Sequence, residues 1–278
     1  MFDPTASTLD ERSERPSVHN LAFGQATSEG LVRKNNEDHL ASAPELGFFV
    51  VADGVGGGPA GSLASRLATS AMVHSVRTSL RSGDSTQEPC ADNPLLPLMD
   101  AVETYGTRLQ AAAWLAHKII FEYGMKNGCY GAATTMASLW IAEGQAHIAN
   151  TGDSRVYKLA GDQLVQLTQD HTIVQEIANC QVQLGTEWKQ RLRNVVTQVL
   201  GGKKARMPTV HTQSESLETG QTFLLCTDGL TNMVPHEQIA SVLLSAPSPQ
   251  HAADRLVQLA NNAGGLDNIT CIVVSIQG

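Results

Sequence analysis

The 278-residue sequence lacks two features that would each indicate a particular class of protein. No apolar run approaches the roughly 18 residues that a membrane-spanning helix needs, so we expect no membrane span. There is no block of Lys and Arg, and 19 basic residues against 27 acidic ones give a formal net charge of −8. An acidic chain without a basic block does not favour nucleic acid or an anionic membrane as the main partner.

Cysteine is scarce, and its spacing argues against two kinds of site. The five cysteines are far apart and form no C-x-x-C pair, which favours reduced thiols over a disulfide framework or a zinc site. Cys226 and Cys271 lie in apolar runs and are expected to be small core residues. The N-terminus has no basic segment followed by an apolar one, so we expect no signal peptide and predict a cytoplasmic protein.

What is present is the composition of a globular protein, with 42% hydrophobic and 17% charged residues. Residues 1–18 are polar and aperiodic, which predicts a flexible N-terminal tail. Residues 19–278 show no internal repeat and are predicted to form a single domain. We also expect the protein to be a monomer.

Strand-like runs dominate the pattern, and a few helical segments interrupt them. The predicted strands are 48–52, 136–142, 147–149, 156–159, 164–167, 223–226 and 269–276, with hairpin turns at Glu143-Gly144 and Gly161-Asp162. The predicted helices are 60–80, 95–125, 237–244 and 249–262. This order predicts an α+β protein with helices packed on largely antiparallel sheets.

Acidic residues recur at the ends of the apolar runs. Asp53 follows FFVVA, Asp228 follows FLLCT, and Asp153 follows HIANTG. Asp267 precedes the last strand, and Glu37-Asp38 follows a turn-like segment. A carboxylate at the end of a buried strand is costly unless a positive group lies beside it, and few basic residues are near in sequence. Oxygen ligands without His or Cys favour Mg²⁺ or Mn²⁺ over zinc.

Each of these acids also has an ordinary structural explanation. Asp-Gly after a strand is most often a turn, and Asp153 has Arg155 as a possible ion-pair partner. Only the whole set, spread over the chain, favours a metal site. The set alone names no reaction.

Seven motifs occur in order along the chain. They are Gly30-x-x-Arg33-x-x-Asn36-Glu37-Asp38, Asp53-Gly54-x-Gly56-Gly57 with Ala60-Gly61 after it, Thr134-Thr135, Asn150-x-Gly152-Asp153-Ser154-Arg155, Asp170-His171, Asp228-Gly229-Leu230 and Asp267-Asn268-x-Thr270. With these motifs the chain resembles the bacterial branch of the metal-dependent protein phosphatases of the 2C type, the PPM family. The resemblance covers nearly the whole chain after the tail. Each motif is weak alone, but seven in order are specific.

The resemblance implies a β-sandwich of two antiparallel sheets flanked by helices, in four layers α-β-β-α, with a metal cluster at one edge. It implies two Mn²⁺ or Mg²⁺ ions and a third, weaker one. The metal-binding positions that it implies are Glu37, Asp38, Asp53, the carbonyl of Gly54, Asp153, Asp228 and Asp267. The segment at about 170–200 corresponds to the family's mobile flap, although its sequence is unusual.

The resemblance also implies individual roles. Asp53 would bridge the two ions, with Asp228 and Asp267 completing the shell of one of them. The Gly54 carbonyl, and Glu37 through water, would serve the other, with Asp38 close by as a water-mediated or orienting acid. Asp153 would share the third ion with Asp228. Arg33, whose alternative is a surface ion pair with Glu29 or Glu37, would hold the substrate phosphate.

Arg33, Asp53 and Asp228 are therefore the expected catalytic residues of a Ser/Thr protein phosphatase. The nucleophile would be a water activated by the two ions, without a covalent phospho-enzyme. The implied partners are phosphorylated proteins and the bacterial Ser/Thr kinases that the enzyme would counter. Val55 stands where some eukaryotic relatives have a His proposed as general acid, and neither His39 nor His171 is assigned that role. A catalytically silent phosphate-binding module and a hydrolase of small phosphate esters remain as alternatives.

Overall fold

The structure is a computed structural model that describes residues 21–55, 59–81 and 104–277. Three sequence predictions fall wholly or partly outside the described residues. These are the tail at 1–18, the glycines at 56–57 in the second motif and the start of the helix at 95–125. The division into a tail and one domain therefore stays a prediction.

Two five-stranded antiparallel sheets form the centre of the molecule. The first has the order β1 (Leu21–Ser28), β13 (Ile269–Ile276), β12 (Thr222–Cys226), β8 (Arg155–Ala160) and β9 (Gln163–Gln166). The second has the order β11 (His211–Ser216), β7 (Gln145–Thr151), β6 (Met136–Ala142), β3 (Phe48–Ala52) and β2 (His39–Ala43). A small third sheet has the order β10 (Leu200–Gly201), β5 (Ala133–Thr134) and β4 (Gly54–Val55).

Helices cover the outer faces of both large sheets. The described helices are α1 (Pro59–Arg81), α2 (Tyr105–Lys126), α3 (Ile173–Asn179), α4 (Thr186–Leu192), α5 (Asp228–Thr231), α6 (His236–Ser245) and α7 (Pro249–Asn262), with a 3₁₀ turn at Pro44–Leu46. Helices α1 and α2 pack on the second sheet, and α5, α6 and α7 pack on the first. These four layers confirm the predicted α-β-β-α sandwich.

The strand sequences explain why the sandwich has three apolar layers. In β3, Phe48 and Val50 face the helices, whereas Phe49 and Val51 face the other sheet. Because side chains alternate between the two faces of a strand, a strand covered on both sides is apolar at every position. Burying each such side chain stabilises the fold by roughly 1.5–3 kcal/mol. The polar residue that follows such a strand is therefore held at the sheet edge.

The described helices and strands match most of the sequence predictions. Helix α7 has the predicted bounds, and the buried thiols of Cys226 and Cys271 confirm their place in the core. The sequence analysis missed β11 because all six of its residues are polar. Half-buried and exposed positions alternate along the strand, but this alternation is not visible in the sequence. None of the described helices has both the length and the apolarity needed to cross a bilayer.

Candidate metal centre

The acids at the strand ends meet in one cavity of about 190 Å³ at the edge of the sandwich. Of the predicted site residues, those on its wall are Arg33, Glu37, Asp53, Gly54, Asp153, Asp228 and Asp267. Asp38 is not on the wall; it lies buried, with 7% of its surface exposed. Residues more than 200 positions apart in the chain are thus brought into a single site.

Two threonines fix the backbone at Asp53. The Asp53 N–H donates to Thr135 Oγ1 at 3.0 Å. The Asp53 carbonyl accepts from Thr134 Oγ1 at 2.7 Å and from the Thr135 N–H at 2.9 Å. These bonds satisfy both backbone polar groups of Asp53 and hold its backbone in place, and its side chain lines the cavity. This gives a physical reason for the Thr134-Thr135 motif.

The loop that carries Glu37 is tied to the last strand by Asn268. Its Oδ1 accepts from the Glu37 N–H at 2.9 Å, and its Nδ2 donates to the carbonyls of Glu29 and Asn35 at 2.9 and 3.0 Å. The Glu37 carbonyl accepts from Ser65 Oγ at 2.6 Å. A methyl group on Gly61 would collide with the Glu37 carboxylate. The Ala60-Gly61 motif therefore leaves space for that carboxylate.

Two buried carboxylates are only half satisfied. Asp38 Oδ2 accepts from Thr227 Oγ1 at 2.8 Å, and Asp228 Oδ2 accepts from Asn232 Nδ2 at 2.9 Å. The other oxygen of each, Asp38 Oδ1 and Asp228 Oδ1, is buried without a hydrogen-bond partner among the described residues. An unpaired buried carboxylate oxygen is costly, and a bound cation would remove that cost.

Burial and mutual repulsion shift the titration of these acids. Burial, reinforced by the charges of other acids, raises the pKa of Asp38 and of Asp153 to about 7. The same causes raise the pKa of Asp53 well above its ordinary value, and they also raise the pKa of Asp228. Carboxylates crowded in this way repel one another unless protons or cations lie between them.

The donor set fits a divalent cation. It consists of carboxylate and carbonyl oxygens, which Mg²⁺ and Mn²⁺ prefer, and it includes the unpartnered Asp228 Oδ1, with the unpartnered Asp38 Oδ1 buried off the wall. In the described part of the chain no three His, Cys, Asp or Glu side chains stand together at ligand spacing. The acids thus line one cavity without already standing at metal-ligand distances from one another. The metal ions are inferred from the chemistry of these oxygen donors.

The raised pKa values predict how stability depends on pH. Between the ordinary carboxyl pKa of 3.8 and about 7, the folded protein binds protons at Asp38 and Asp153 that the unfolded chain does not. Stability contributed by these groups is therefore lost as the pH rises through that window. We expect the Tm of the metal-free protein to fall between about pH 4 and pH 7 relative to the Tm of Asp38→Asn with Asp153→Asn, a comparison that cancels the contribution of the histidines. Thermal unfolding of both proteins in EDTA would measure it, and a difference that grows in favour of the native protein as the pH rises would contradict it.

Arg33 pairs with Asp267 rather than with either predicted partner. Its Nη2 donates to Asp267 Oδ2 at 2.8 Å, and its side chain is 52% exposed. The predicted alternative, an ion pair of Arg33 with Glu29 or Glu37, is therefore wrong. The ion pair that Arg33 forms is with Asp267, on the wall of the same cavity. An exposed pair of this kind is worth about 0–1 kcal/mol, so Arg33 can exchange Asp267 for another anion at low cost.

Other charged residues near the cavity have structural partners. Arg155 forms a two-pronged ion pair with Asp170, at 2.9 and 2.6 Å, and not with Asp153. His171 Nδ1 accepts from the Gly152 N–H at 3.1 Å, which holds the turn before Asp153. His39 Nδ1 lies 2.8 Å from Thr69 Oγ1.

The sequence analysis missed some residues that complete the site. Thr227 supports Asp38, and Ser65 supports the Glu37 backbone. Asn194 and Val196, from the predicted flap, line the cavity. A polar residue inside an apolar run, such as Thr227 in FLLCTDG, is the one signal that could have marked part of this set.

Comparison with known proteins agrees with this geometry. The family model "Protein phosphatase 2C" matches residues 32–261. The protein phosphatase PhpP of Streptococcus pneumoniae is 32% identical over 262 residues, which cover 90% of this chain and 95% of PhpP. The solved serine/threonine phosphatase PstP/Ppp of Mycobacterium tuberculosis is 28% identical, with a TM-score of 0.72 and coverage of 93% of this chain and 99% of that one.

A second solved structure bears on the metals. It is the catalytic domain of the serine threonine protein phosphatase PstP in complex with two manganese ions, 29% identical, with a TM-score of 0.69. The alignment covers 93% of this chain and 99% of that one. The family model and PhpP each match well over half of this chain. The motifs, the four-layer sandwich, the acidic cavity and these similarities lead to one conclusion: this chain belongs to the protein phosphatase 2C family.

Proposed function

We propose that this protein is a Ser/Thr protein phosphatase that uses Mn²⁺ or Mg²⁺ to hydrolyse phosphoserine and phosphothreonine on proteins. The observation that carries the proposal is the cavity in which Asp53, Asp228 and Asp267 face Arg33. Its donors suit hard cations, and its single arginine suits a phosphate. The names of the relatives, which are Ser/Thr protein phosphatases, support the same activity.

The family resemblance gives the roles of the residues that would hold the ions, and the cavity wall contains those residues. Asp53 would contact both ions, with Asp228 and Asp267 serving one and the Gly54 carbonyl and, through water, Glu37 serving the other. Asp153, nine-tenths buried beside Asp228, would serve a third ion. Asp38, which is buried and does not line the cavity, would orient these metal-binding residues. When bound, the cations supply an activated water and offset the charge of the phosphate.

The chain's own residues would position the substrate. Arg33 would leave Asp267 and donate two hydrogen bonds from its planar guanidinium to phosphate oxygens, which fixes the phosphorus for in-line attack. Val55 lines the cavity where a proton donor would otherwise stand. We therefore expect the leaving oxygen to take its proton from water.

The setting of the activity is also part of the proposal. The substrates would be proteins phosphorylated by Ser/Thr kinases, and the enzyme would act as a cytoplasmic monomer. The segment at 170–200 would act as a flap, since it contributes Asn194 and Val196 to the cavity wall.

Metal reconstitution tests the proposed activity. We expect the metal-stripped protein to be inactive on a phosphothreonine peptide, because the acids alone cannot activate water. Mn²⁺ or Mg²⁺ should restore turnover, and Ca²⁺ should not. Phosphate release from the peptide and from a free phosphometabolite would be measured side by side. Metal binding without any turnover would indicate a silent phosphate-binding module, and turnover of the metabolite alone would indicate a small-ester hydrolase.

A further inference from the structure

A second cavity is lined by the chain segment that follows the wall of the metal-site cavity. It encloses about 330 Å³ and is lined by His117 and by residues of the segment 197–209. Val196 lines the first cavity and Thr197, the next residue, lines the second. Strand β10, which contributes Gly201 to the second cavity, pairs with β5, and β5 pairs with β4 immediately after Asp53. The two cavities are therefore connected through consecutive residues of one segment and through the small sheet.

The chain around this second cavity carries an unusual charge. The stretch 188–214 contains six Lys and Arg residues and no Asp or Glu, although the whole protein has a net charge of −8. Lys203, Lys204 and Arg206 line the second cavity and are exposed. None of the three has a carboxylate within ion-pair distance in the described part of the chain. Their charge is available to an anionic ligand.

The wall of the second cavity also has buried polar groups without partners. His117, 2% exposed, accepts at Nδ1 from the Gly201 N–H at 3.0 Å, so its Nε2 carries the proton. Neither His117 Nε2 nor Thr197 Oγ1 forms a hydrogen bond in the described residues. The Ala205 backbone lies near enough to His117 to act on its pKa, which burial lowers, but not in hydrogen-bonding geometry. Both atoms lie below the surface of the cavity, so the exposed cations are the groups that an anionic ligand would contact.

We propose, building on the proposed phosphatase activity, that the second cavity binds an acidic segment of the phosphoprotein substrate beside the residue being hydrolysed. Carboxylates or a further phosphate on the substrate are the chemistry that Lys203, Lys204 and Arg206 would recognise. An acidic enzyme repels acidic substrates over most of its surface, so a local cationic wall next to the cleft also sets the approach direction.

The test compares two phosphothreonine peptides of equal length, one with Asp and Glu flanking the phosphothreonine and one with Gln and Asn. The variant is Lys203→Gln with Lys204→Gln. The control is Arg77→Gln with Arg255→Gln, two exposed cations on α1 and α7 whose loss changes the net charge equally. In the native protein we expect KM to be about three- to tenfold lower for the acidic peptide, with similar kcat. The variant should lose this difference, and the control should keep it.

The outcomes separate this inference from the proposed function. Hydrolysis of both peptides with no preference, or a preference that survives in the variant, would overturn the second-cavity inference and leave the phosphatase intact. Hydrolysis of neither peptide by the Mn²⁺-loaded protein would overturn the proposed function.

Discussion

Asp53→Asn should lower kcat on a phosphothreonine peptide by about a thousandfold while leaving the fold intact. Asn has nearly the same volume, and the backbone hydrogen bonds at residue 53, to Thr134 and Thr135, do not involve the side chain. What is lost is the carboxylate that the proposed centre places between two ions. Steady-state assays with saturating Mn²⁺ would measure the change.

Although Asp53→Asn should lower kcat, it should raise the thermal stability of the metal-free protein. Burial and the neighbouring acids hold the pKa of Asp53 well above its ordinary value, so this carboxylate destabilises the metal-free fold at neutral pH. Removing its charge should raise the Tm in EDTA and abolish most of the Tm gain that Mn²⁺ gives the native protein. Asp162→Asn, in an exposed hairpin turn, is the matched control and should change neither quantity. Native turnover in Asp53→Asn would remove Asp53 from the metal site.

Gly229→Ala is expected to disrupt the site through the backbone. A methyl group at this position would collide with the Asn268 carbonyl oxygen and would touch the Asp267 side chain at 3.4 Å. The obstacle is main chain, so α5 must move away from the start of β13. This would separate Asp228 from Asp267. We expect a loss of about 1–3 kcal/mol in the free energy of unfolding and a large loss of Mn²⁺ affinity.

A second glycine gives the control for that prediction. Gly106 lies in α2, where a methyl group would meet its nearest neighbours in Thr212 at an ordinary 3.6 Å. Gly106→Ala should be neutral or stabilising by up to about 1 kcal/mol, since Ala favours a helix over Gly. Urea unfolding and titration calorimetry with Mn²⁺ on both variants would check the pair. Unchanged Mn²⁺ affinity in Gly229→Ala would show that this close approach does not position the acids.

The sequence could predict the acids of the site because their signal is local. Asp53 and Asp228 end apolar strands, and a charge in such a place stands out without any knowledge of the fold. The strands themselves were readable for the same reason, since both faces of β3 and of residues 223–226 in β12 are covered and these residues are uniformly apolar.

The supporting contacts could not be predicted because they join distant parts of the chain. Thr227 reaches Asp38 across 189 positions, and Arg33 reaches Asp267 across 234. No spacing rule connects such residues, and the family resemblance gives roles to the acids but not to Thr227. The polar strand β11 and the second cavity were also missed. Both consist largely of polar residues, which show no apolar–polar alternation in the sequence from which a strand or a cavity wall could be predicted.

The brace formed by Asn268 has a consequence for how the enzyme comes into being. The loop that carries Arg33 and Glu37 is tied to residue 268, and β1 pairs along its whole length with β13. During translation the first half of the site is made early but has nothing to close against until residues 267–276 have left the ribosome. We therefore expect phosphatase activity to arise only after β13 has been synthesised and has paired with β1. A message truncated before Asp267 would yield an inert chain rather than a weak enzyme.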